Sequence, residues 1–181
     1  PGRRYQPKRN HLNRFASQYE YRFEPLRAEH FEACLHLECR WQRSKGEGEC
    51  VETSEQSAIR RAFESYDELG LQGGVIIVEG HVVAFTFGSA ISKDIFCTHV
   101  EKGDTTYDGV FPMINNCFAK LLREQGFTQV NREEDMGIAG LRKSKLSYYP
   151  QLLQEKISVK ALSDEQVQCR ELWIDVFGDE R

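Results

Sequence analysis

The sequence has no apolar run approaching the roughly 18 residues that a membrane-crossing helix needs. Contact with lipid, if the protein makes any, is expected to be peripheral or supplied by segments outside this chain. The first residues do not read as a secretory signal. Six cysteines stand at 34, 39, 50, 97, 117 and 169, yet none forms a C-x-x-C pair, which removes zinc-ribbon spacing. The five histidines show no metal-ligand spacing either, so no metal is expected. Cys34 and Cys117 fall on apolar helical faces and read as buried thiols. A reducing cytoplasm without a disulfide framework is the expected setting.

What remains is ordinary in bulk. The chain has 181 residues, 40% hydrophobic and 29% charged, with a net charge of -4. That is enough for one domain with a substantial core.

Local patterns divide the chain into elements. Pro1 to Arg14 carries Arg3, Arg4, Lys8, Arg9 and Arg14 with no acid. Such an arm can engage phosphate or nucleic acid, but a linker is the favoured reading. Tyr19 to Leu26 alternates as a first strand, and Arg27 to Arg43 reads as a helix with Phe31, Cys34, Leu35 and Trp41 inward. Lys45 to Glu49 breaks it. Thr53 and Gln56 form a capping box before the helical stripe Ile59, Ala62, Phe63, Tyr66 and Leu69. Gly74–Val78, a turn at Glu79-Gly80 and His81–Gly88 form a hairpin. Asp94–Val100 is the next strand, where His99 reads as core or strand-face packing rather than catalysis. Val110–Glu124 is an amphipathic helix stopped by Gly126. Phe127–Val130 is a short strand, Ile157–Ala161 a last one, and Ser163 with Gln166 opens a terminal helix through Phe177.

The densest chemistry lies from Asn131 to Pro150, where seven charged residues, two tyrosines and two glycines share twenty positions. Glu133, Glu134 and Asp135 come first; Arg142, Lys143 and Lys145 follow. Acids before and bases along a helix suit its macrodipole, so a helix from about Gly137 to Tyr149, closed by Pro150, is expected. Gly137, Gly140, Ser144 and Ser147 would form a small-residue stripe open to close approach. Ile138, Leu141, Leu146, Tyr148 and Tyr149 spread over the other side with Arg142 and Lys145 among them. Those two cations either contact a ligand or snorkel past the aromatics to solvent.

The segment NREEDMGIAGLRKSKLSYYP resembles the signature of a bacterial family of unknown function. That family is grouped with the C-terminal domain of phosphatidylglycerol lysyltransferase. Lys8-Arg9-Asn10-His11 followed by Phe15, and Glu101-Lys102 followed by Tyr107 and Asn115, also resemble family positions. The resemblance implies an α+β fold: a GNAT-like (acyl-CoA N-acyltransferase) mixed central sheet flanked by helices, akin to the Fem enzymes that take amino acids from aminoacyl-tRNA. It also implies a division of the chain. Residues 1–18 would be the basic arm or a linker from a missing N-terminal domain, and 19–162 the GNAT-like domain. Residues 163–181 would be a C-terminal helix or the start of a further GNAT domain, with additional domains in the full-length protein.

In such sheets two adjacent parallel strands splay apart around the donor, expected here at Asp94–Val100 and the strand before it. A CoA enzyme would then carry a glycine-rich loop whose N–H groups hold the pyrophosphate. This chain has Glu101 to Gly109 instead, with acids that would repel pyrophosphate. Aminoacyl-tRNA is therefore expected as the donor ahead of acetyl-CoA, with no tightly bound cofactor. The acceptor would be a lipid, a peptide or a small amine, such as an anionic lipid headgroup met at the inner membrane face. Arg142 and Lys145 are candidates for tRNA or acceptor phosphate. Glu133, Glu134, Asp135 or Asp104 would take an ammonium, Tyr107 or Tyr148 would stack or donate a hydrogen bond, and Asn131 and Arg132 complete the set. No residue is singled out as general base. Helix-end charge and ion pairs of Arg132 and Arg142 with the neighbouring acids are the structural explanation of the same residues. A CoA-dependent N-acetyltransferase and a non-catalytic tRNA- or headgroup-binding domain are the alternative functions.

Overall fold

Apolar side chains alternate along the middle of the chain, and that alternation sorts them onto two faces of one sheet. The computed structural model describes residues 2–44 and 54–153. Its first compact unit is Pro1–Tyr148, and a second begins at Tyr149. The element order is α1 (Gln6–Gln18), β1 (Tyr21–Pro25), α2 (Ala28–Ser44), α3 (Ser54–Glu64), β2 (Gln72–Val78), β3 (His81–Ala90), β4 (Ile95–Gly103), α4 (Val110–Glu124), β5 (Gln129–Asn131) and α5 (Ala139–Leu146). The five strands lie in the order β1-β2-β3-β4-β5. All neighbours are antiparallel except β4 and β5, which run parallel. This is the mixed sheet flanked by helices that the sequence suggests.

Hairpin β2–β3 is the centre of the fold. Glu79 and Gly80 both take positive φ, 51° and 80°, the backbone that a two-residue turn needs to match strand twist. Val75 and Ile77 face α2 and α3 with Cys34, Leu37, Ile59, Phe63 and Phe85. Ile76 and Val78 face the other way, against Val110, Met113 and Ile114 of α4 and Phe15 of α1. In α4 the buried Val110, Met113, Ile114, Phe118 and Leu122 recur at helical spacing. Its boundaries are those the periodicity predicts.

The structure corrects several expectations. Residues 6–18, expected as arm or linker, form helix α1, and Phe15 is fully buried in the core. The parallel partner of β4 is β5, the strand after it; β3 before it is antiparallel. Leu69 is exposed rather than part of its stripe. Cys34 is buried and its thiol is pushed up by that burial, whereas Cys117 is only partly buried. Cys39 is disulfide-bonded, so the expectation of reduced thiols fails there. Thr53 of the capping box, the 45–49 break, the strand at 157–161 and the helix from Ser163 lie outside the described residues.

At the β3–β4 seam a bulge interrupts the ladder: Phe87 pairs with Val100 and Gly88 with Thr98, leaving His99 without an opposite residue. Gly88 is required there, because a Cβ would lie 1.8 Å from the Cys97 carbonyl oxygen. The β4–β5 pairing spans only Ile95–Cys97 with Gln129–Asn131, while β4 continues to Gly103. Beyond Cys97 and Asn131 the two chains part.

Candidate functional site

Where β5 ends, the chain is shaped by its own charges. The Asn131 side chain accepts a hydrogen bond from the Glu133 N–H at 2.7 Å, and Asp135 accepts one from the Gly137 N–H at 2.9 Å. These side-chain turns allow Glu133, Met136 and Gly137 their positive φ values. They also delay the helix: Ile138 is extended and α5 starts at Ala139, not Gly137. At the other end Ser147 caps it and Tyr149 takes φ 52° before Pro150, so it stops at Leu146 rather than Tyr149. Within α5 no residue is buried, and among the described residues nothing lies within 4 Å of where a Cβ on Gly137 or Gly140 would be.

Two of the predicted cations are committed to holding this segment. Arg142 pairs with Asp135, Nε to Oδ2 at 2.5 Å. That guanidinium and the Gly137 N–H hold the Asp135 carboxyl down at about 2. The Lys145 ammonium donates to the carbonyl oxygens of Arg132 and Glu134. Asp104 caps its own loop, accepting from the Thr106 N–H at 3.0 Å and hydroxyl at 2.6 Å. Tyr107 packs edge-on against Tyr19, with ring centroids 5.0 Å apart.

Arg132 does not pair with the acids beside it in sequence. It crosses the gap between the parted strands to Glu101 of β4, Nη2 to Oε1 at 2.8 Å. Glu101 also accepts from Asn115 of α4 at 3.3 Å. The Arg132 guanidinium lies 4.6 Å from the centroid of the Tyr148 ring, and the Lys8 ammonium of α1 lies 3.9 Å from the same ring. Thus α1, β4, α4, the turn after β5 and the residues just after α5 each send one polar or aromatic side chain to a single place. Burial and then the Arg132 charge lower the pKa of Lys8, and the same two causes lower Lys145. Burial raises that of the Tyr148 phenol. Among the described residues the buried Nη1 atom of Arg132 has no hydrogen-bond partner. Lys8, Arg132 and Lys145 lie together here, with Glu101, Glu133 and Asp135 as the neighbouring anions, and a partly dry set of donors is suited to an anionic group.

Across the same gap His99 meets Glu133, Nδ1 to Oε1 at 2.7 Å, and its Nε2 lies 2.8 Å from the Ser89 hydroxyl. Cys97, His99 and Glu133 bring ligand-type atoms within 4.8 Å of one another, as do Glu24, Glu29 and His30. Hydrogen bonds and ion pairs within each group account for both. Lys8, Glu101 and Asn115 appear in the sequence only as matches to family positions. Ser89 and His99 carry no signal, since the fold alone unites them with Glu133.

The start of α4 packs against α1. An added Cβ at Gly109 would lie 2.7 Å from the His11 carbonyl oxygen of α1. Asp108 beside it binds Arg14 at 2.5 Å, which holds its carboxyl below the usual range.

Comparison with known proteins places this geometry. The family described as phosphatidylglycerol lysyltransferase, C-terminal, matches residues 1–160. A conserved protein of unknown function from Bacteroides thetaiotaomicron VPI-5482 is 42% identical, with a TM-score of 0.76. The match covers 84% of this chain and 52% of that one, so the chain spans about half its relative's length. A possible acetyltransferase from Clostridium difficile 630 superposes with a TM-score of 0.60 at 10% identity, over 79% of this chain and 98% of the other. An aminoglycoside acetyltransferase from an uncultured soil metagenomic sample, in complex with sisomicin, gives 0.56 at 11% identity, over 84% and 99%. These two likenesses establish the acetyltransferase-type fold. No curated protein matches the chain.

Proposed function

The chain belongs to the phosphatidylglycerol lysyltransferase C-terminal family, and on that premise we propose that it moves an aminoacyl group from charged tRNA to a lipid, peptide or small-amine acceptor. The observation that carries this reading is the bridge of Arg132 and Glu101 across the parted strands, flanked by Lys8 and Tyr148. An aminoacyl ester needs its ammonium held, its phosphates matched and its developing oxyanion stabilised; positioning and charge do most of the work. Glu101 supplies the anion for the ammonium. Arg132, through its unpartnered Nη1, and Lys8 supply donors for a phosphate or a carbonyl oxygen. The Tyr148 ring supplies a stacking face.

Acetyl-CoA fits this chain poorly. The first turn of α4 is covered by α1, and the loop before it presents Asp104 and Asp108, each already bonded within the protein. A pyrophosphate there would meet carboxylates and displaced backbone rather than free N–H groups.

No helix among the described residues is long and apolar enough to cross a membrane. Action in the cytoplasm or at the inner membrane face, with further domains in the whole protein, belongs to the same proposal. The test is a calorimetric titration with a hydrolysis-resistant aminoacyl-tRNA analogue beside uncharged tRNA and acetyl-CoA. Preference for the charged analogue supports the transferase reading. Equal binding of charged and uncharged tRNA favours a non-catalytic tRNA-binding domain, and binding of acetyl-CoA alone overturns the donor assignment.

A further inference from the structure

We propose that Ser89, His99 and Glu133 form a nucleophile–base–acid relay, and that transfer passes through a covalent acyl-Ser89 intermediate. The proposal rests on the acyl-transfer reading above and adds a chemical route to it.

The two contacts define the roles that a neutral His99 would take. Glu133 as a carboxylate can only accept, so the 2.7 Å contact makes His99 Nδ1 the proton-bearing nitrogen. A neutral imidazole then has Nε2 as an acceptor, and the Ser89 hydroxyl at 2.8 Å donates to it. A hydroxyl bonded to an imidazole whose other nitrogen is held by a carboxylate is the arrangement that activates a serine oxygen. The Cys97 thiol also lies 3.6 Å from Glu133 Oε1, a weak further tie on that carboxylate.

The backbone explains how the three meet. His99 is the unpaired residue of the β4 bulge, which frees its side chain from the ladder. Ser89 stands on β3 opposite Cys97, next to that bulge. Glu133 follows two residues after β5 ends, with positive φ set by the turn on Asn131. The relay therefore spans the mouth of the gap between β4 and the end of β5, the same gap that Arg132 crosses to Glu101. His99 and Glu133 are 37% and 44% exposed at their side chains, and Ser89 is half-buried.

The step balances without a further reactant. Ser89 Oγ attacks the ester carbonyl while its proton passes to His99 Nε2. The bond from the acyl carbon to the ribose oxygen of tRNA breaks, and His99 returns the proton to that oxygen. The acceptor then attacks the acyl-serine; His99 takes its proton and delivers it to Ser89 Oγ as the serine ester bond breaks.

The relay is testable without knowing donor or acceptor. The protein is mixed with p-nitrophenyl acetate, nitrophenolate release is followed, and the acetylated residue is mapped by peptide mass spectrometry. The expected result is a burst of about one equivalent with the acetyl group on Ser89. Ser89→Ala should abolish that burst at an unchanged thermal midpoint, and Glu133→Gln should slow it by about tenfold or more. Acetyl groups on Cys97 or lysines alone, or a burst that survives Ser89→Ala, overturn the relay. The donor assignment fails separately. Acetylation of Ser89 with no response to charged tRNA retains the relay and removes that donor. Full transfer from charged tRNA by Ser89→Ala retains the donor and removes the relay.

Discussion

The two sides of the sheet are held together by different forces. Around β1–β3, the hairpin is closed on one face by α2 and α3 and on the other by α4, with Phe85, Ile76 and Val75 fully buried. Aromatic rings stack there, Phe31 on Phe63 with centroids 4.3 Å apart and planes 5° from parallel. At the β4–β5 edge the pairing lasts three residues and then side chains take over: Glu101 with Arg132, His99 with Glu133, Arg142 with Asp135. Apolar burial is non-directional and strong per residue, whereas the more exposed pairs, His99 with Glu133 and Arg142 with Asp135, contribute little net stability. Stability therefore resides in the hairpin, and the edge is free to carry charge that serves a ligand.

That contrast can be broken from either side. The largest effect is expected from Phe85→Ala, which should lower unfolding free energy in urea by about 3–5 kcal/mol. Ligand affinity of the fraction that remains folded should be unchanged. A loss below about 1 kcal/mol would show that the hairpin is not the source of stability.

Arg132→Met should do the reverse. It keeps the length of the stem, leaves Glu101 with Asn115, and should cost about 1–3 kcal/mol while reducing charged-tRNA affinity by about tenfold or more. Unaltered affinity would move the ligand site elsewhere.

Lys8→Met sharpens the comparison further. Burial and Arg132 lower the pKa of Lys8, so its charged form carries a cost in the folded protein at neutral pH. The variant should be no less stable in thermal melts yet weaker in binding phosphate-bearing ligands. Destabilisation would assign Lys8 to the packing of α1 on the core.

The smallest effect belongs to Arg142→Ala. Asp135 has a folded pKa of about 2, depressed below its unfolded value, so the contribution of its pair exists above the unfolded carboxylate range. It is lost as pH falls through about 2. The thermal midpoints of wild type and variant should differ slightly near neutral pH and converge in acid; a constant difference would show that Arg142 acts through packing.

How much of this was legible in the sequence follows the same divide. The hairpin and α4 are written in periods of two and 3.6; the turn and the limits of α4 follow from them, while the outer ends of the hairpin reach two residues further, to Gln72 and Ala90. Helix α1 was hidden because polar side chains dominate its composition, and Phe15 becomes a core residue only when α4 is beside it. The family signature drew attention to residues 131–150, but the turns on Asn131 and Asp135 decide which charges are already used within the segment. Arg142 and Lys145, expected toward a ligand, have partners in the protein. Lys8, Glu101 and Arg132 span more than a hundred positions and converge only through the parallel placement of β5. The Ser89–His99 contact depends on a one-residue bulge that no periodicity announces.

The most direct test of the central claim is calorimetric titration of wild type and Arg132→Met, side by side, with the hydrolysis-resistant aminoacyl-tRNA analogue and with acetyl-CoA. The account predicts that wild type prefers the charged analogue, that Arg132→Met loses most of that affinity while still melting cooperatively, and that neither binds acetyl-CoA. Tight binding of acetyl-CoA, or undiminished binding of the analogue by Arg132→Met, would contradict it.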